Sequence, residues 1–166
     1  MRITYAVPKK VTFSQCDMFS HLTVATFLAW SEDIRFSIGE ASQLGSFFKP
    51  EHRSEEVQEV LNHTGEVYTL PVIGAEINEK KKVRLGQDVL LHSWIEHMLM
   101  GQIVFRHALT DPFAKEIFIQ AEYRVCVVGE TTGLQHKLPE ALAKRIQMFM
   151  DALPQMEEAC YCEGVL

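Results

Sequence analysis

The chain has 166 residues and a formal net charge of −6, from 22 acidic against 16 basic residues. A hydrophobic fraction of 47% and a charged fraction of 23% suit a globular protein with a single core of ordinary size. The acidic balance argues against bulk nucleic acid or an anionic membrane as a partner, and no run approaches the ~20 apolar residues that span a bilayer.

The opening residues, MRITYAVPKK, carry neither a long apolar core nor a small-residue cleavage site, so no secretory signal is expected. Over residues 3–13 the odd positions read Ile, Tyr, Val, Lys, Val, Phe, with mostly polar or small residues between them. That period of two predicts a half-buried strand, and Pro8 puts it at an edge or a bulge. One acid, Asp17, stands where the strand ends, flanked by Cys16, Ser20 and His21.

Beyond Asp17 the period changes to that of a helix. Phe27, Ser31, Ile34 and Ile38 fall on one face, with Val24, Leu28 and Arg35 beside them and Gly39 as the expected stop. Residues 22–38 form the longest helix-like run, read here as the central helix. Residues 45–65 look like an excursion: an aromatic loop, GSFFKP, then RSEEVQEVL, where Ser54 can cap and Glu55 and Glu56 suit a first turn.

The remainder reads as strands until near the end. Residues 66–80 are extended, with Pro71 and Gly74 as bends. Residues 88–97 and 102–109 flank MLMG, which suits an antiparallel connection, and residues 116–128 alternate most clearly of all. LPEALAKRIQMFMDAL predicts a closing helix with Pro139 near its start. The whole is one α+β domain over residues 1–153, its sheet wrapped around the long helix, followed by a tail over residues 154–166.

Cys16, Cys126, Cys160 and Cys162 make neither a CxxC pair nor a zinc spacing with histidine, and no other cofactor motif is present. Reduced thiols in a cytoplasm, with no metal and no cofactor, are the expectation.

VTFSQCDMFSHLTVATFLAWSED (residues 11–33) resembles the amino-terminal signature of the 4-hydroxybenzoyl-CoA thioesterase-like branch of the hotdog-fold acyl-CoA thioesterases. That signature is an extended V-x-F-x-D-x-D segment, then Gly or His, an Asn-aromatic pair, and a helix with an aromatic followed by an acid. Asp17 matches the catalytic acid, Phe27 the aromatic, Trp30 the helix aromatic and Glu32 the acid after it. GAEINEKKKVRLGQDVLLHSWIEHM, AEYRVCVVG and LPEAL look like the family's later strands, basic turn and terminal helix. The first Asp of the usual pair is Gln15, the frequent Gly after the acid is Ser20, and the frequent Asn is Thr26.

The resemblance implies a hotdog fold, an acyl-CoA or acyl-carrier-protein substrate, and a homodimer or homotetramer with sites at subunit interfaces. It also implies that Asp17 serves as nucleophile or general base. A carboxylate is already ionised at neutral pH, and a thiolate leaving group needs little acid assistance. If the helix starts between His21 and Ala25, its first N–H groups can polarise the thioester carbonyl. The alternative for Asp17 is a turn acid that satisfies backbone donors.

His21, Thr23, Val24, Thr26 and Phe27 are the expected pocket residues, although His21 also reads as an ordinary helix-start histidine. Lys81, Lys82 and Arg84, in KKKVR, are candidates for the CoA phosphates or else a solvated hairpin end. Strand alternation turns Cys16 away from Asp17. Two rival readings stand beside hydrolysis. One is a hotdog hydratase, whose histidine motif is not found, and the other is a non-catalytic acyl-thioester binding protein.

Overall fold

A computed structural model describes residues 5–41, 68–99, 101–138 and 140–152. The first strand is β1, Tyr5–Lys10, and a 3-10 turn follows at Phe13–Gln15. The long helix α1 is Val24–Ala41. Strands β2 (Tyr68–Thr69), β3 (Val72–Glu79), β4 (Asp88–Leu99), β5 (Gln102–Thr110), β6 (Ile117–Gly129) and β7 (Gln135–His136) come next, and α2, Glu140–Ala152, closes the described chain. The expected helix within residues 45–65, Pro139 and the tail with Cys160 and Cys162 lie outside the described residues.

The sheet is antiparallel at every described pairing and runs β1-β4-β5-β6, with β2 and β3 on the far side and β7 also on β6. Pro8 is tolerated because β1 is an edge strand, where a missing N–H breaks no inner ladder. Pro71 separates β2 from β3, and the β3–β6 register slips between Val72 and Gly74, so both predicted bends are real. The β4–β5 connection is tighter than the sequence suggests. Leu99 pairs with Gln102, and Gly101 supplies the left-handed backbone, at φ 93, that the turn requires.

One sheet face packs on α1. Phe27, Ser31, Ile34 and Ile38 are all buried, as the helical period predicts, and they meet Leu91, Phe105, Leu109, Ile119 and Val125 from the sheet. Ile146 of α2 joins the same core and is fully buried. The opposite sheet face also carries buried side chains, among them His92, Ala108, Phe118 and Cys126.

Two expectations about element ends need correction, and one strand was not expected. The first strand stops at Lys10 instead of reaching Phe13, because residues 13–15 coil into the 3-10 turn and leave Phe13 80% exposed. Gly39 does not end the central helix. It keeps a negative φ and the helix continues to Ala41. The two-residue β7 has no counterpart in the reading from sequence.

Candidate active site

The segment between β1 and α1 is held by main-chain bonds together with the side chains of Gln15, Asp17, Thr23 and Thr26. Gln15 N–H donates to the Thr12 carbonyl (3.1 Å) and Cys16 N–H to the Phe13 carbonyl (3.2 Å), while the Gln15 side chain accepts from Thr12 N–H (2.9 Å). Cys16 then forms a lone bridge with Leu22, and His21 forms another with Arg84. Leu22 N–H donates to the Val83 carbonyl (2.8 Å) and Leu85 N–H to the Ser20 carbonyl (2.9 Å), which stitches the loop to the β3–β4 connection.

Asp17 lies at the centre of this loop. One carboxylate oxygen, Oδ1, accepts from the N–H groups of Phe19 and His21, both at 2.9 Å. The other, Oδ2, stands 4.0 Å from His21 Nδ1. The His21 N–H bond is the main reason the Asp17 carboxyl is held below the usual carboxylate range; the Phe19 N–H, His21 and Lys82 act in the same direction, and partial desolvation opposes them. Asp17 is therefore ionised at neutral pH, with one oxygen anchored and one open. Its hydrogen-bond partners all belong to its own loop, ahead of the helix, so the turn-acid role is present in the geometry.

Ser20 sits at φ 62, a left-handed backbone that favours glycine. This gives a physical reason for the glycine that is frequent at that place in the resembling family. Here Leu85 N–H on the Ser20 carbonyl helps to hold the strained residue.

The helix starts at Val24, inside the predicted window. Thr23 is the capping residue: its hydroxyl accepts from Thr26 N–H (3.2 Å), and its carbonyl accepts from Phe27 N–H (3.2 Å). The Thr26 hydroxyl lies 2.9 Å from that of Thr23 and donates to the Gln15 carbonyl (3.2 Å), tying the helix to the loop. Among the described residues the N–H groups of Val24 and Ala25 have no backbone partner, as expected for a first helical turn.

The five expected pocket residues divide accordingly. His21 borders Asp17, Val24 is surface-exposed at the helix start, Thr23 and Thr26 are engaged in capping, and Phe27 is fully buried in the core. Cys16 does not follow the strand alternation expected of it, because it is not in a strand. Its thiol turns back to the Thr12 carbonyl at 3.4 Å.

The basic run splits as well. Lys81 pairs with Glu116 and Lys82 with Glu79, each at 2.7 Å, whereas the exposed Arg84 side chain has no acid partner among the described residues. Glu32 turns to Arg35 of its own helix. A surface cleft of about 390 Å³ is lined by residues of β1 and β4 with Pro112, and none of the candidate residues borders it.

A second group of polar residues was missed in the sequence. His107, Ser93 and Tyr123 sit on the sheet face that packs against α1, opposite Ser31 and Arg35. Alternation along β5 could have found it, since His107 shares its parity with Phe105 and Leu109.

No protein-family model and no curated protein matches the chain. Solved structures do match. A 1,4-dihydroxy-2-naphthoyl-CoA thioesterase from Synechocystis is 14% identical over 90% of this chain and 97% of its own, with a TM-score of 0.66. A probable thioesterase from Bartonella henselae is 15% identical over 82% and 99%, with a TM-score of 0.64. A hypothetical protein from Staphylococcus aureus, in complex with CoA, is 14% identical over 100% and 96%, with a TM-score of 0.68. Seven antiparallel strands among the described residues, laid against one long buried-faced helix, are thus an α+β hotdog fold.

Proposed function

We propose that the chain is a thioester hydrolase acting on an acyl-CoA or acyl-carrier-protein substrate, with Asp17 as general base or nucleophile. The observation that carries this reading is an ionised carboxylate with one anchored and one open oxygen, in the loop that leads into two helix-start N–H groups that have no backbone partner among the described residues. As a base, Asp17 takes a proton from water while the oxygen attacks the thioester carbon. The Val24 and Ala25 N–H groups receive the charge that builds on the carbonyl oxygen. The C–S bond then breaks and the thiolate recovers the proton from Asp17. The hotdog fold shared with thioesterases, and with a protein in complex with CoA, supports the substrate class.

Arg84 is the best-placed phosphate contact, because Lys81 and Lys82 are already neutralised by acids. Phe13, Met18 and Phe19 are 80%, 89% and 70% exposed around the Asp17 loop, which supports a second copy of the chain covering this face. The non-catalytic binding reading draws its support from the turn-acid bonding of Asp17.

Steady-state release of the acid from a panel of acyl- and aroyl-CoAs tests the proposal. Asp17→Asn keeps an oxygen acceptor for the Phe19 and His21 N–H groups, so the loop is expected to survive. Turnover is expected to fall by about 10²–10⁴. In the same assay Arg84→Ala is expected to raise KM for CoA thioesters but not for pantetheine thioesters, which lack the nucleotide. A folded Asp17→Asn variant with unchanged turnover would overturn the catalytic assignment.

A further inference from the structure

His107 of β5 is 1% exposed, and neither ring nitrogen has a hydrogen-bond partner among the described residues. Its register partner on β4, Ser93, is fully buried with an unpartnered hydroxyl. The ring of Tyr123 on β6 meets the His107 ring edge-on at 4.8 Å, and its buried hydroxyl has no close hydrogen-bond partner among the described residues, Ser31 of α1 being the hydroxyl that faces it, with Arg35 nearby. Buried polar groups nearly always find partners, and three orphans on adjacent strands of one face form a cluster that weakens the fold. An apolar trio at these positions would pack without that cost.

The cluster is neutral. Burial and the nearby Arg35 charge push the His107 pKa down to about 3, and burial raises that of Tyr123. Arg35 itself is committed to Glu32 and to the Leu70 carbonyl, at 3.1 Å for the latter. Among the described residues an anion would find no uncommitted cation at this cluster. A hydroxyl or keto oxygen would find donors and acceptors.

Helix geometry sets the distance from the candidate site. At about 1.5 Å per residue, Ser31 lies about 10 Å along α1 from Val24, with Phe27 on the same face between them. Resting on the hydrolase reading above, we propose that His107, Tyr123 and Ser93 seat a neutral oxygen on the substrate's acyl group. The preferred substrate is then a hydroxy- or oxo-acyl thioester whose oxygen lies about 10 Å from the reacting carbonyl.

The test compares kcat/KM for ω-hydroxyoctanoyl-CoA and octanoyl-CoA in the wild type, Tyr123→Phe and His107→Leu. The wild type is expected to favour the hydroxylated substrate at least about tenfold. Both variants should bring the ratio towards one, retain activity on octanoyl-CoA, and hold or raise Tm. No preference in the wild type, or a preference that both variants keep, overturns the proposal. A Tm lowered in both variants with the ratio intact would mean that the cluster is structural, and overturns it too. If neither thioester is hydrolysed, calorimetry with the two matching S-alkyl-CoA thioethers replaces the kinetic ratio. Tighter binding of the hydroxylated thioether, lost in the variants, supports the pocket although hydrolysis has failed; equal binding overturns it.

Discussion

On the proposed reading Asp17 has two tasks that compete for the same oxygens. Its Oδ1 organises the turn through Phe19 and His21, which leaves Oδ2 for the proposed chemistry. The acid itself was legible in the sequence, because a single carboxylate between a period-two and a period-3.6 segment is conspicuous. Its division of labour was not, since it depends on how the loop closes. His107 makes the complementary case: parity along β5 marks it as inward, but no local pattern says that its ring will lack a partner. A buried neutral histidine binds its proton more readily in the unfolded chain, where the usual pKa is 6.5, than in the fold, where it is about 3. Its contribution is therefore fully favourable above pH 6.5 and is lost as pH falls from there towards 3. The slope approaches ~1.4 kcal/mol per pH unit inside that window. Denaturant unfolding at pH 7, 5 and 4 should show this slope in the wild type and a shallower one in His107→Leu; His92, whose pKa burial also lowers, leaves a remainder.

Elements were legible where one periodicity runs unbroken. The α1 stripe and the alternation of β6 came through because packing against a single face imposes that spacing on many residues in succession. Ends were less so. Gly39 looks like a stop, but a glycine commonly ends a helix by turning its backbone left-handed, and at Gly39 it does not. The start of α1 depends on Thr23, whose hydroxyl caps Thr26 N–H and neighbours the Thr26 hydroxyl. Thr23→Ala is expected to lower stability by about 0.5–2 kcal/mol, while Thr23→Ser should lose only a fraction of that. Equilibrium denaturation compares the two. An equal loss in both would assign the effect to the threonine methyl group in place of the cap.

At the scale of the molecule, sheet, helix and the α+β class follow from the order of elements, but association does not, because one chain's periodicity reports its own core alone. The exposed Phe13, Met18 and Phe19 are what a self-association surface requires. The double variant Met18→Ser with Phe19→Ser is expected to shift the sedimentation coefficient towards that of a 19.0 kDa monomer. Circular dichroism should be unchanged, since neither side chain reaches the core. A wild type that sediments as a monomer would remove this face as an interface.

The stitching of residues 20–22 to residues 83–85, and of Val11 to Gln87 and Gly86, runs through amide and carbonyl groups. Every residue except proline offers the same two groups, so these stitches constrain chain length and direction far more than side-chain identity, while the bonds from Gln15, Asp17, Thr23 and Thr26 fix a few positions beside them. A scaffold of this kind lets most letters of its alphabet be exchanged while the carboxylate stays where it is. Likeness in shape can then outlast likeness in text, as in chains that share this fold at 14% identity.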